Sequence, residues 1–154
     1  MRLFLDSSVV LAASMSAAGA SRYVFRLALS NSWSLVATPY VVEEVLHNLA
    51  TLPFGATSAW GRLRAQLLIY EDVLTLDRAV VFPATKDRPI LFGALAWGDV
   101  LLTLDRSDFG ELIGGAFYGR RSPPSARPAG RAARKGSSPP LPASAHAGGP
   151  SGSG

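Results

Sequence analysis

Short apolar runs alternate with segments of helical periodicity along residues 1–119. The runs at 2–5, 33–38 and 100–104 predict buried strands, and a run at 79–82 predicts one more. Strands that alternate with helices are typical of a parallel sheet with both faces covered. The pattern therefore predicts an α/β fold, a three-layer α/β/α sandwich with a mainly parallel sheet.

The segments between these runs predict helices. Serine favours the position before a helix and can cap the first two, and Pro39 suits the first turn of the third. Gly98 is a stop signal for the helix that precedes it. We expect helices over 7–15, from 21 to about 29, and over 40–49, 58–70, 87–97 and 108–113.

Residues 120–154 differ in composition from the rest of the chain. They hold seven of the eleven prolines, six of the fifteen basic side chains and none of the eleven acids, so they carry +6 whereas residues 1–119 carry −2. A segment with so little apolar surface cannot offset the entropy lost on ordering. We therefore expect one folded domain at 1–119 and a disordered basic tail, rich in Pro, Gly, Ser and Ala, at 120–154.

The chain contains no cysteine, which excludes a disulfide framework and a thiolate metal site. Residues 1–20 loosely resemble a secretory signal peptide, but Asp6, Ser7 and Ser8 interrupt the apolar region that such a peptide needs. No segment approaches the ~20 apolar residues of a membrane span. We expect a buried N-terminal strand and a cytoplasmic location.

Four acidic residues occupy positions where the charge is hard to explain as one that only keeps the protein soluble. Asp6 follows the first apolar run and Asp105 follows the last. Glu44 and Asp87 belong to predicted helices. Ligands of open α/β sheets collect at the carboxyl ends of the strands, and carboxylate oxygens gathered there would suit a hard divalent cation. The pattern favours metal-assisted hydrolysis of a phosphodiester.

Each of these acids, taken singly, also has an ordinary structural explanation. An Asp at a strand end commonly forms a turn or caps the next helix. Asp87 stands ahead of Arg88 and Pro89, as a helix cap would, and Glu44 could be a solvated helix position. The metal interpretation depends on the four acids together.

Four segments resemble, in order and spacing, the motifs of the PIN-domain family of metal-dependent ribonucleases. The resemblance extends from residue 2 to about residue 118. The matching segments are LFLDSSVV at 3–10, TPYVVEEVL at 38–46, DRPILFGALA at 87–96 and DVLLTLDRSDF at 99–109. Each segment alone is degenerate, and the specificity comes from the set of four.

The resemblance implies which residues bind metal. The acids that match the family's metal-binding and catalytic positions are Asp6, Glu44, Asp87 and Asp105. Glu44 is preferred over Glu43 because it directly precedes an apolar pair, as the matching Glu does in the family. Ser8 and Thr103 match small polar positions that support the site by hydrogen bonding. Asp108 is either a fifth acid or the cap of the last helix.

The resemblance also implies a function, that of an endoribonuclease with Mg²⁺ or Mn²⁺ as cofactor and RNA as substrate. Many short relatives are toxins of toxin–antitoxin pairs, so an antitoxin protein and a homodimer are the implied protein partners. One ion, or two about 4 Å apart, would lower the pKa of a bound water and stabilise charge on the attacked phosphate. Crowded carboxylates repel one another, so some of them should have a raised pKa.

Two features depart from the family pattern. The family has a final apolar strand after a segment like 116–119, whereas the basic tail begins here at Arg120, which leaves open whether the sheet has its last strand. Basic residues are also scarce in the predicted domain. Phosphate contacts would fall to Arg22, Arg62, Arg64, Arg88 and Arg106.

Two other functions fit parts of the pattern. A non-catalytic nucleic-acid-binding or regulatory module could keep the acids without the activity. A phosphoacceptor signalling domain similar to response-regulator receivers also gathers carboxylates around Mg²⁺. Receivers place paired acids after the first strand and a lysine near the end of the last. Here Ser7 and Ser8 follow Asp6, and Lys86 is the only lysine of residues 1–119.

Deleting residues 120–154 should leave the domain folded, because every motif precedes them. RNA affinity should weaken mainly at low ionic strength, where the +6 charge is least screened. The cleavage rate of bound RNA should hardly change, because activation of water by the metal is local. Anisotropy titrations with labelled RNA at two salt concentrations measure the RNA affinity. An affinity and a cleavage rate that both stay unchanged at low salt would show that the tail is inert.

Overall fold

A computed structural model of the chain describes residues 1–77, 79–112 and 114–115, so the tail predicted at 120–154 lies outside the described residues. The strands of this part are β1 (Arg2–Leu5), β2 (Ser34–Ala37), β3 (Leu67–Ile69) and β4 (Val100–Leu102). The six α-helices of this part are α1 (Ser7–Met15), α2 (Ala20–Ser30), α3 (Pro39–Leu49), α4 (Phe54–Arg64), α5 (Arg88–Trp97) and α6 (Arg106–Phe109). All strands are parallel, in the order β3-β2-β1-β4. This is the predicted mixed α/β class, consistent with three layers.

β1 lies at the centre of the sheet because its side chains are apolar on both faces. Its last three residues are fully or almost fully buried, as expected of a strand covered by helices. Phe4 pairs with Val36 of β2 on one side and with Leu101 of β4 on the other. The Asp6 N–H continues the ladder by donating to the Leu102 carbonyl over 3.0 Å. The residues that follow β1 and β4 therefore meet at one edge of the sheet.

The helices cover the sheet through their apolar faces. α1 packs among α2, α3 and α4, whereas α5 packs on β1 and β4. Val9, Val10 and Ala13 are the core residues that α1 contributes. No helix in the described ranges is long and apolar enough to cross a membrane.

The helix predicted over 58–70 is wrong at both ends. α4 starts earlier, at Phe54, and stops at Arg64, and β3 follows it at once. Leu63 and Leu67 have helical spacing, which suggested one continuous helix. In β3, however, Leu67 and Ile69 are buried and Leu68 is exposed, which is the alternation of a strand. Residues 67–69 form a strand because they pair with β2, and this pairing cannot be read from the sequence of the segment itself.

The strand predicted over 79–82 is also wrong, since the described residues there form no strand. Val81 is 99% exposed, so this apolar run is not a buried strand. Phe82 is buried instead against Phe109 of α6, with ring centroids 5.3 Å apart. The segment serves the core through one aromatic side chain.

Several boundaries differ from the predicted ones by a few residues. α2 begins after Gly19 rather than after a capping Ser21, and β4 ends at Leu102, two residues early. The last predicted helix, 108–113, is α6 followed by a 3-10 helix at Gly110–Leu112, and residue 113 lies outside the described residues. No strand follows β4 in the part that the structure describes, so β4 is an edge strand there.

α5 approaches β1 closely at two glycines. A Cβ at Gly93 would lie 2.8 Å from Cζ of Phe4 and 3.2 Å from Cγ2 of Thr38. A Cβ at Gly98, the residue after the helix, would lie 2.8 Å from Cβ of Phe4. The Phe4 ring is fully buried and has little room to move. The absence of a side chain at Gly93 and Gly98 therefore sets the distance between α5 and the strand.

Gly93→Ala should destabilise the protein by about 1–3 kcal/mol, the usual cost of forcing atoms into a packed core. Gly61→Ala is the matched control, because Gly61 also lies inside a helix and a Cβ there meets nothing within 4 Å. Alanine favours helix by about 1 kcal/mol over glycine, so this variant should be more stable than the wild type. Thermal unfolding of both variants measures the contrast. Equal stability of the two would show that the packing around Phe4 is loose.

Candidate metal centre

Asp6 follows β1 directly, and three hydroxyl groups hold its carboxylate. Ser8 Oγ and Thr103 Oγ1 donate to Oδ2 over 2.7 and 2.6 Å, and Ser7 Oγ donates to Oδ1 over 3.2 Å. Asp6 is 3% exposed. It occupies the cap position of α1, but its side chain makes no capping hydrogen bond. Helix capping does not explain this acid, and the hydroxyls fix its orientation.

Thr103 and Ser8 connect the end of β1 to the segment after β4. Thr103 Oγ1, which donates to Asp6, accepts a hydrogen bond from the Asp105 N–H over 3.0 Å. Ser8 Oγ, which also donates to Asp6, accepts one from the Leu104 N–H over 3.0 Å. Both residues that the resemblance assigned to a supporting role thus contact Asp6 and order the backbone leading to Asp105.

Asp105 is the cap of α6, so the structural explanation applies to this acid. Its Oδ1 accepts hydrogen bonds from the Ser107 N–H at 2.9 Å, the Ser107 hydroxyl at 2.6 Å and the Asp108 N–H at 3.1 Å. The Ser107 hydroxyl is the main reason that the pKa of Asp105 lies below its ordinary value. All three bonds end on Oδ1. Capping therefore leaves Oδ2 without a hydrogen bond from the described residues.

Asp87 lies where a 3-10 helix, Thr85–Asp87, passes into α5. The residue is 6% exposed, and its Oδ2 is buried with no hydrogen-bond partner. Burial is the main reason that its pKa is raised to about 7; the neighbouring Asp108 carboxyl and the charge of Glu44 add to the rise, and the charge of Lys86 opposes it. No capping bond from the Asp87 side chain is present. A raised pKa is the direction expected where carboxylates crowd together, but burial is its larger cause here.

Glu44 projects from α3, and its Oε2 is buried without a hydrogen-bond partner. Its charge contributes to the raised pKa of Asp87, so the two carboxylates are close enough to interact. Glu43, the neighbouring alternative, is exposed to solvent. The exposure of the two residues agrees with the preference for Glu44.

Asp108 is not the cap of the last helix, because Asp105 occupies that position. The Asp108 carboxylate forms an ion pair with Lys86, whose Nζ lies 2.9 Å from Oδ2. The same ammonium lies 3.8 Å from Oδ2 of Asp87 and helps to lower the pKa of Asp105. Asp108 therefore belongs to the acidic group around Asp87.

The acids form two connected sets rather than one closed shell. One set consists of Asp6 and Asp105, joined through Thr103. The other contains Asp87, Glu44 and Asp108, with Lys86 among them. Among the described residues, no three His, Cys, Asp or Glu side chains stand together as a group that could hold a metal ion. Repulsion between like charges favours this separation.

Two further residues of this region, Tyr40 and Thr38, are not among those predicted from the sequence. Tyr40 lies one turn before Glu44 on α3, and its hydroxyl donates to the Lys86 carbonyl over 2.8 Å. Burial is the main reason that the pKa of Tyr40 is raised, and the charges of Glu44 and Asp87 add to it. Thr38, directly after β2, is fully buried with Oγ1 unpartnered. The spacing of four residues between Tyr40 and Glu44 was the available signal.

Some basic residues proposed for phosphate contacts are partly engaged elsewhere. Arg88 donates to the Phe82 carbonyl through two nitrogens, at 3.3 and 3.2 Å. Arg22 Nε donates to the Ala13 carbonyl over 2.7 Å.

Asp99 precedes β4, so it lies at the opposite end of the sheet from Asp105, and its carboxylate accepts a hydrogen bond from the Arg2 N–H over 2.7 Å.

Comparison of the chain with models of known protein families finds no match, and comparison with curated proteins finds no significant match either.

Asp87→Asn should stabilise the metal-free protein at neutral and alkaline pH. The folded-state pKa is about 7 against an ordinary 3.8, so ionisation of Asp87 costs stability that grows from about pH 4 to about pH 7. Measured with a chelator present, the melting temperature of the variant should exceed that of the wild type by about 4 °C or more at pH 8. The difference should shrink at pH 5.

Asp105→Ala is the contrasting control for this measurement. Its loss of the α6 cap should cost about 1 kcal/mol at both pH values. The pKa of Asp105 is lowered, so its stabilising effect persists above the ordinary value of 3.8. Destabilisation by Asp87→Asn at pH 8 would contradict the view that the ionised Asp87 carboxylate destabilises the folded, metal-free protein.

Proposed function

We propose that this chain is a PIN-like, metal-dependent endoribonuclease that hydrolyses phosphodiester bonds of RNA. The observation that carries the proposal is a pair of buried carboxylate oxygens, Asp87 Oδ2 and Glu44 Oε2, that have no hydrogen-bond partner. A buried, unpaired carboxylate costs several kcal/mol unless a cation or donor compensates it. Two such oxygens, in residues whose charges interact, support the proposal of a cation site.

The chemistry of the donors suits a hard divalent cation, although the described residues would have to draw the two sets of acids closer together to surround one ion. The residues that would hold it are Asp6, Glu44, Asp87 and Asp105. All four offer carboxylate oxygen, which Mg²⁺ and Mn²⁺ prefer. The ion, when bound, would activate a water molecule and stabilise negative charge on the attacked phosphate. The pKa of Asp87, about 7, means that a nearby positive charge would also favour its ionised form.

The remaining residues orient the ligands. Hydroxyls of Ser8 and Thr103 fix Oδ2 of Asp6, at 2.7 and 2.6 Å. Thr103 also fixes the backbone at Asp105, whose Oδ1 is taken by the α6 cap. This shell limits the positions that the two strand-end carboxylates adopt. Loss of such outer contacts typically lowers metal affinity or activity about 10- to 100-fold.

RNA is the substrate that the resemblance to PIN domains favours. The described part of the chain carries few cations, so the basic segment at 120–154 is the stronger attractor for phosphates. The same resemblance supports a role as the cytoplasmic toxin of a toxin–antitoxin pair, with a small antitoxin protein and a second copy of the chain as partners.

A second candidate is a non-catalytic nucleic-acid-binding module. One observation favours it, namely that the described residues contain no group of three carboxylates that could hold a metal as they stand. Under this alternative, the acids would be remnants that interact with Lys86 and the helix ends. Metal binding separates the two candidates before any RNA is added.

Glu44→Gln should abolish Mn²⁺-dependent cleavage of a labelled RNA, and Glu43→Gln should not. The two residues are neighbours on α3, but only Glu44 has a buried carboxylate oxygen. The loss at Glu44 should be at least about 100-fold, since even outer contacts of metal ligands are worth about 10- to 100-fold. Calorimetric titration with Mn²⁺ should show a matching loss of binding. Equal activity of the two variants would overturn the assignment of Glu44.

A further inference from the structure

Lys86 lies at the acidic group that the proposed function uses, although no part of that function requires it. Its Nζ is 2.9 Å from Oδ2 of Asp108 and 3.8 Å from Oδ2 of Asp87. The second of these oxygens is buried and has no hydrogen bond. Among the described residues, the Lys86 ammonium is therefore the nearest positive charge that can stabilise the ionised carboxylate of Asp87.

Two features make this cation removable. The Lys86 side chain is 71% exposed, so it can leave the acids for solvent without disturbing the core. Its backbone is held in place, because the Tyr40 hydroxyl donates to the Lys86 carbonyl over 2.8 Å. The side chain can therefore move away and return while its anchor stays fixed beside Asp87.

We propose that Lys86 is a tethered competitor of the metal ion, which occupies the Asp87–Asp108 side of the site when no ion is bound and must be displaced when one binds. The inference rests on the proposed metal site, and it adds a regulatory element within the same chain. A lysine and a divalent cation are attracted by the same carboxylates and repel each other at close range. The lysine therefore lowers the apparent metal affinity and stabilises the metal-free protein.

An ordinary surface ion pair would not have this effect. Exposed pairs contribute little, and salt screens them. Lys86 differs because one of its two partners, Asp87, is 6% exposed and has an unpartnered oxygen that any positive group would stabilise. Whatever occupies that side of the site excludes the other cation.

The test uses the full chain and compares wild type with Lys86→Met, which keeps an unbranched side chain, one atom shorter, and removes its charge. Lys86→Arg retains the charge. Arg26→Met on α2, at an exposed arginine that has no assigned role in phosphate contacts, controls for the general change in net charge. Isothermal titration with Mn²⁺ at low ionic strength gives the dissociation constants, and melting temperatures are taken in chelator and in saturating Mn²⁺.

The proposal expects Lys86→Met to bind Mn²⁺ about threefold or more tightly than the wild type, with Lys86→Arg and Arg26→Met close to the wild type. The difference should narrow at high salt. Lys86→Met should melt below the wild type in chelator, and this deficit should disappear in saturating Mn²⁺. The second readout requires no RNA cleavage.

Four outcomes decide the matter. An unchanged or weaker Mn²⁺ affinity of Lys86→Met, with binding by the wild type, overturns the role of Lys86 and leaves the metal site standing. Equal gains in Lys86→Met and Arg26→Met would also overturn it, since the effect would then be one of net charge. Failure of every variant to bind Mn²⁺ overturns both proposals. Binding by Lys86→Met alone would support the competitor and show that it dominates in the wild type.

Discussion

An ionised carboxylate that leaves water needs hydrogen bonds or a nearby cation. Asp6 and Asp87, the two acids that are buried among the described residues, meet this requirement differently. Asp6 receives three hydroxyl donors, so the fold itself satisfies its charge. Asp87 is almost as buried, yet one of its oxygens has no donor. The first acid can be understood as part of a folded scaffold, whereas the second, whose pKa is raised to about 7, needs a positive partner such as Lys86 to stay ionised at neutral pH.

Apolar packing determines where that unsatisfied charge lies. α5 begins directly after Asp87, and further along the same helix Gly93 faces the fully buried Phe4 ring of β1. Since no Cβ intervenes, the helix and the central strand approach closely. Asp6 follows that same strand. The position of Asp87 relative to Asp6 thus depends on a contact between a glycine and an aromatic ring, in which neither acid takes part.

The fold class could be predicted because the strands of a buried parallel sheet are mostly apolar, and β4 and the last three residues of β1 and of β2 have this pattern. β3 could not, because its leucines continue the periodicity of α4 and only pairing with β2 distinguishes them. The four acids could be named from their strand and helix ends together with the resemblance. Their environments could not, since the pKa of Asp87 depends on burial and on Lys86, whose side chain reaches Asp108, distant in sequence.

Asp105 divides its two oxygens between different tasks. Oδ1 accepts every hydrogen bond that caps α6, and Oδ2 takes no part in the cap. Asparagine also has an Oδ1 and is an equally favoured helix cap. A single amide substitution could therefore preserve the helix while removing a proposed metal ligand. For a descendant of this chain, losing catalysis at this position would require almost no structural change, and a folded, inactive domain lies one mutation away from the proposed enzyme.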